Sequence, residues 1–122
     1  MDFKVREFMS GGDQMFESNH ARYASYGTVA VLPGEMIDVV WKIIDQDLQG
    51  LFPLDNLLTF KLHNHQGHTT FEYVQTDEQA QQTFGAAFDT DYAYSSNLPE
   101  TVLAYDDGDS QIILLPSETN QN

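Results

Sequence analysis

Cysteine is absent from this 122-residue chain, which excludes disulfides, thiolate metal sites and cysteine nucleophiles together and fits a reducing compartment. Long apolar runs are missing too: none approaches the roughly 20 residues of a membrane span. The opening Met1-Asp2-Phe3-Lys4-Val5-Arg6-Glu7 lacks the apolar core of a signal peptide, so a cytoplasmic setting without membrane attachment is expected. Basic residues are the third scarcity. Five Lys and Arg stand against 19 Asp and Glu, for a net charge of −14. Lys61 is the last of them, so residues 1–61 hold all five cations and a net −4, while residues 62–122 hold ten carboxylates and no Lys or Arg. Such a surface repels phosphate backbones and anionic lipid, which argues against direct nucleic-acid binding and leaves a basic protein, a divalent cation or water as its counterpart.

What is present suits one small core. The apolar fraction is 41%, with eight Phe, six Tyr and one Trp. A chain of this size buries about 65% of the surface exposed by its unfolded form. Residues 1–19, containing Ser10-Gly11-Gly12-Asp13, read as a loosely held leader in which Phe3, Val5 and Phe8 could form a short edge strand. Residues 20–116 read as a single domain and 117–122 as a frayed tail.

Arg22–Leu32 is β-branched and aromatic and is expected to be a strand, with Gly27 marking a bulge or a close backbone approach. Pro33 opens a helix to Gln49: Met36, Ile37, Val40, Trp41, Ile44 and Leu48 recur at helical spacing, with Val39 and Ile43 widening the stripe. Asp38, Lys42, Asp45 and Gln49 fall on the opposite side, and Gly50 offers a left-handed cap. Leu57–His63 and His68–Gln75 predict a hairpin around Asn64-His65-Gln66-Gly67, with His63 opposite His68 and Phe60 opposite Phe71. Residues 76–83 read as a polar connector, Phe84–Ala87 as an edge strand and Asp89–Asn97 as a surface loop. Thr101–Tyr105 and Gln111–Leu115 predict a second hairpin around Asp106-Asp107-Gly108-Asp109-Ser110, with Ile112–Leu115 central in the sheet. The fold class is therefore α+β: one amphipathic helix on a mostly antiparallel sheet of about five strands that includes two hairpins.

Several blocks, taken in order, resemble a known family. Arg22-Tyr23 with Gly27, Leu32-Pro33, Trp41-Lys42-Ile43-Ile44-Asp45, Val102-Leu103-Ala104-Tyr105-Asp106-Asp107-Gly108-Asp109, Leu114-Leu115 and Glu118 are similar to small proteins of low-GC Gram-positive bacteria, the staphylococcal proteins of unknown function (domain of unknown function 960). The resemblance spans residues 15–118, with Met15 resembling the usual family start, and implies one compact α+β domain in a bacterial cytoplasm. It implies no activity, cofactor or catalytic residue.

Two clusters carry candidate chemistry. His63, His65 and His68 form His-x-His-x-x-His across a turn, and neutral imidazole is the commonest metal ligand, although the spacing matches no zinc signature and could simply decorate an exposed loop. Asp106, Asp107 and Asp109 sit on a tight turn that accounts for Gly108 and one aspartate, which leaves two further carboxylates for a partner or an ion. Arg22 is expected to form a structural ion pair, with the acidic hairpin as its partner. No Ser-His-Asp arrangement, paired carboxylates or phosphate loop is recognisable. The reading that follows is an acidic, non-enzymatic binding or regulatory protein without a cofactor, meeting a basic partner. Its alternatives are a nucleic-acid mimic that inhibits a DNA-binding protein, or a metal-binding protein using the three histidines.

Overall fold

The computed structural model describes residues 15–18, 20–49, 54–77 and 82–119. Strand β1 (Ala21–Ala24) leads into a short helix α1 (Tyr26–Val31), and α2 (Gly34–Lys42) follows after Pro33. The α2 backbone then widens into a π-helical segment, Ile43–Leu48. Five more strands complete the domain: β2 (Leu57–His65), β3 (His68–Asp77), β4 (Gln82–Ala93), β5 (Thr101–Asp106) and β6 (Ser110–Leu114), followed by a 3₁₀ turn at Pro116–Glu118. They form one sheet in the order β1-β6-β5-β2-β3-β4, parallel at β1–β6 and antiparallel elsewhere. The α+β class holds, with six strands in place of five.

The core lies between the α2–π helix and one sheet face. Met36, Val40, Ile43, Ile44 and Leu48 meet Leu58, Phe60 and Leu62 of β2, Phe71 and Tyr73 of β3, Val102 and Ala104 of β5, and Ile113 of β6. Each fully buried Val, Leu, Ile, Phe or Met among them contributes about 1.5–3 kcal/mol. Phe60 and Tyr73 are cross-strand neighbours, their rings 5.6 Å apart and tilted.

Several expectations are corrected. The strand expected over Arg22–Leu32 stops at Ala24, because Ser25 caps α1: its Oγ accepts the Thr28 N–H at 3.1 Å. Pro33 bars the α region at Leu32, which is extended (φ −122°, ψ 119°) and ends the helix. Cap and breaker thus override the β propensity of Thr28, Val29 and Val31. Gly27 does stand at a close approach, but within a helix: a Cβ there would lie 2.6 Å from Glu118 Oε2.

The first hairpin closes two residues tighter than expected. His65 pairs with His68, and Phe60 with Tyr73, around a two-residue turn in which Gln66 (φ 54°) and Gly67 (φ 88°) are both left-handed. A shift of two keeps every side chain on its expected face. The turn follows from Gly67 supplying a positive φ and from Asn64 Oδ1 accepting the Gly67 N–H at 2.8 Å. Strand β4 is far longer than Phe84–Ala87 and absorbs residues 89–93 of the expected loop, with an irregular register opposite His68 and Thr70.

Within the expected leader Phe16 is fully buried, and within the expected tail Glu118 fixes the turn after Pro116. The expected edge strand at Phe3–Phe8, the Gly50 cap and part of the 76–83 connector lie outside the described residues.

Candidate functional site

Arg22 stands on the core face of β1, opposite Gln111 of β6. Its guanidinium donates two bonds to the Asp45 carboxylate, at 2.8 and 2.7 Å, and stacks 4.6 Å over the Trp41 ring. Its Nε donates to Gln111 Oε1 at 2.8 Å. The partner is therefore the helix and not the acidic hairpin, a correction with a local cause. The π segment takes an extra residue per turn, which swings Asp45 and Gln49 off the expected polar side and towards β1 and residues 15–17. Asp45 sits unfavourably at the negative end of a helix, and the bidentate pair offsets that cost.

The same knot clasps residues 15–17. Gln49 Nε2 donates to the carbonyls of Met15 (2.8 Å) and Phe16 (2.9 Å), and Gln111 Nε2 donates to the Glu17 carbonyl (2.8 Å). The Phe16 N–H donates to Asp106 Oδ2 at 2.7 Å. Phe16 is non-glycine at φ 64°, a strained conformation that these bonds hold in place.

Asp106, expected to meet a partner, is only 2% exposed, and its carboxylate faces the core. Its Oδ1 also accepts the Gly108 N–H at 2.8 Å. Asp107 Oδ1 accepts the N–H groups of Asp109 (2.9 Å) and Ser110 (2.8 Å), and these donors, Ser110 first, hold its pKa below the usual carboxylate value. Two aspartates thus have structural duties where one was expected. Asp109 is exposed, and the turn makes no use of its carboxylate.

Glu118 closes the other end of β6. Its Oε1 accepts the Leu115 N–H (2.8 Å) and the Ser25 hydroxyl (2.6 Å) at the positive end of α1, and the first of these contributes most to lowering its pKa. The blocks that carry the family resemblance therefore pair off in space: Arg22 with Trp41 and Asp45, Gly27 with Glu118, and Asp106 with Gly108.

The three histidines lie on the sheet face turned away from the helix. His65 is opposite His68, while His63 Nε2 bonds Glu72 Oε1 at 2.8 Å. Among the described residues no group of three His, Asp or Glu side chains is placed to hold a metal ion. Tyr73 is a different kind of group: burial first, then the Asp55 carboxylate, push its phenol up to about 12, well away from neutral acid–base duty.

The sheet face turned away from the helix, which nothing among the described residues covers, divides into two halves. Near the 106–110 turn it is apolar: Tyr23, Ile112, Tyr105 and Leu57 form one row across four strands, and Tyr23 is 56% exposed. Towards the histidine turn it becomes polar, with Lys61, Glu72, His63, Thr70 and Asp89.

A cleft of about 710 Å³ runs between the helix and β4. Its helix wall includes Val39, Lys42, Ile43 and Asp47, and its strand wall is Ala87–Tyr92. No sequence motif marks this cleft. The i, i+2 pair Asp89 and Asp91 was the available sign, and reading 89–97 as a loop concealed it.

In the described residues no helix is long and apolar enough to cross a membrane. No curated protein matches the chain. A crystal structure of a protein of unknown function from Enterococcus faecalis is similar at 40% identity and a TM-score of 0.80, over 87% of this chain and 96% of that one. The family described as staphylococcal protein of unknown function (DUF960) matches residues 21–118, and the chain belongs to it.

Proposed function

We propose that the protein is a non-enzymatic binding module for a basic protein partner. The observation that carries this reading is the shortage of internal counter-charge. Among the described residues Arg22–Asp45 is the one Lys/Arg–carboxylate ion pair, while Glu35, Asp38, Asp55, Asp89, Asp91, Glu100 and Asp109 are exposed. A charge excess of this kind speeds encounter with a cationic surface and selects against anionic ones. The carboxylates whose pKa is moved, Asp107 and Glu118, are moved down by N–H and O–H donors, the direction of an anchoring group and the opposite of a general acid at neutral pH. Asp89 and Asp91 lie near the histidine turn, while Asp107 and Asp109 lie at the other end of the sheet. That dispersion favours a protein surface over the continuous stripe that mimicry of a phosphate backbone needs.

Cross-linking in living cells, followed by reconstitution from purified components, tests the reading. A stoichiometric basic partner whose affinity falls as salt rises is the expected result. A salt-insensitive complex, or cross-links confined to acidic and neutral proteins, removes it.

A further inference from the structure

The cleft beside β4 joins two backbone irregularities. On the helix side Ile43–Leu48 is π-helical, the Gln49 N–H reaching back to the Ile44 carbonyl at 3.0 Å, and Ile43 and Asp47 of that segment line the cleft. On the strand side the register runs from Thr70↔Asp89 to His68↔Ala93, so three β4 residues stand against one of β3. This is a bulge of two extra residues at Thr90–Tyr92. Its ladder is filled in by side chains: Thr90 Oγ1 donates to the Thr69 carbonyl (2.7 Å) and Thr69 Oγ1 to the Ala93 carbonyl (3.3 Å). Both irregularities re-aim side chains, and both recur beside functional sites more often than in plain scaffold.

The adjoining edge is open. Strand β4 is last in the sheet, and among the described residues its only strand partner is β3. Thr83–Asp89 pairs with β3 in unbroken register, a straight edge about seven residues long before the bulge. An edge of that length, unless protected, accepts an added strand.

Charge decides which strand it accepts. Asp47, Asp89 and Asp91 line the cleft against the single cation Lys42, while Phe88 and Tyr92 supply apolar wall. Asp89 lends one oxygen to the Thr70 hydroxyl at 2.6 Å and keeps the other. Asp89 shares the uncovered face with Thr70, so an added strand, whose side chains alternate, would show one set to the carboxylates on that face and the other to the helix-side cleft. A second copy of the chain would bring its own Asp89 and Asp91 to the same edge and be repelled. An extended segment bearing Lys or Arg would be attracted.

We propose that the outer edge of β4 and the cleft beside it bind an extended basic segment of a partner protein by strand addition, with its cationic side chains at Asp47, Asp89 and Asp91. This rests on the acidic-module reading and gives it a place. The probe is a synthetic peptide of repeating Lys-Lys-Val-Val, which sets lysines on both faces of an added strand, with a Glu-for-Lys peptide as control, titrated into the full chain and followed by amide NMR and hydrogen exchange. Slowed exchange along Thr83–Asp89, with shifts at Val39, Asp47 and Tyr92 and none from the Glu peptide, is the expected result. Asp47→Asn and Asp91→Asn should each weaken the peptide by roughly two- to fivefold, the range of a partly exposed ion pair, with melting temperature unchanged. Glu35→Gln and Asp109→Asn remove the same charge elsewhere and should not. Equal weakening by all four, or shifts gathered on the 106–110 turn or the uncovered face, overturns the cleft while the broader reading stands. Absence of binding at low salt, or a free chain already dimerised through β4, likewise overturns it, and the in-cell cross-links judge the broader reading separately.

Discussion

In the β5–β6 hairpin the carboxylates of Asp106 and Asp107 are aimed at backbone N–H groups, whereas in the β2–β3 hairpin the imidazoles of His63, His65 and His68 stand at the surface and, among the described residues, His63 alone has a hydrogen-bond partner, Glu72. Both turns present a run of titratable residues, and both looked equally available for chemistry. What separates them is depth. Strand pairing places Asp106 beside Gln111 on the core face, under the helix and next to residues 15–17, while it places the histidines on the face that nothing described covers. A charged motif therefore reports a site only after its strand parity is known.

The largest effect expected from this contrast comes from Asp106→Ala. The change leaves the buried Phe16 N–H without an acceptor and frees the Gly108 N–H, at a cost of about 2–3 kcal/mol. It should also loosen residues 15–17, so urea unfolding must show a lower midpoint and hydrogen exchange a faster Phe16 amide. A midpoint shift no larger than that of a surface aspartate would place Asp106 with the histidines and dissolve the distinction.

Local signals made the helix, the second hairpin and the facing of the first hairpin legible, because periodicity and Asp-Gly turns act over a few residues. Long-range contacts were not legible. Nothing near Arg22 announces Asp45, 23 positions away, and nothing near Asp106 announces the Phe16 amide, 90 positions away. Ser25 caps α1 and Pro33 ends it, but the β-branched residues between them carried the expectation of a strand. Phe16 lies beside the Gly-Gly stretch, whose composition suggested looseness, although three side chains from distant elements clasp its neighbourhood. The β4 edge was lost because Asp, Thr and Tyr in alternation resemble a loop until a neighbouring strand is supplied.

A second test removes turn geometry from the comparison. Gly67 and Gly108 both have positive φ, 88° and 99°, with open space around the missing Cβ. Alanine at either costs about 1 kcal/mol from backbone strain alone. Matching losses for Gly67→Ala and Gly108→Ala in thermal melts would show that the hairpins differ in their carboxylates and not in their turns. A much larger loss at Gly108 would mean that strain there also disturbs the Asp106 bonds.

Acid titration gives a smaller, directional signal. The Asp107 pKa is held below its ordinary value of 3.8 in the folded chain by the Ser110 and Asp109 N–H groups. A lowered folded value means stability that is fully present above the ordinary value and is lost as pH falls through the folded one. Unfolding of the wild type should therefore steepen below about pH 3.8, and Asp107→Asn, which keeps an acceptor but not the charge, should lower neutral stability by the amount the wild type loses in acid and so flatten that limb. An unchanged acid limb would show that the turn does not depend on the charge of Asp107.

The smallest effect is expected at the histidine turn. His63 and Glu72 are 53% and 41% exposed, and a pair so open to water contributes about 0–0.5 kcal/mol. His63→Ala should leave the unfolding midpoint within that range, and His68→Ala, which removes no hydrogen bond among the described residues, should do the same. The hairpin is held from its other face, where Leu62 meets Phe71 and Phe60 meets Tyr73, so its stability does not pass through the imidazoles. A loss above about 1 kcal/mol at His63 would mean that the outer face of this hairpin is structurally engaged after all. The apolar half of the same face, with Tyr23, Tyr105 and Leu57, would then be the place to look for what covers it.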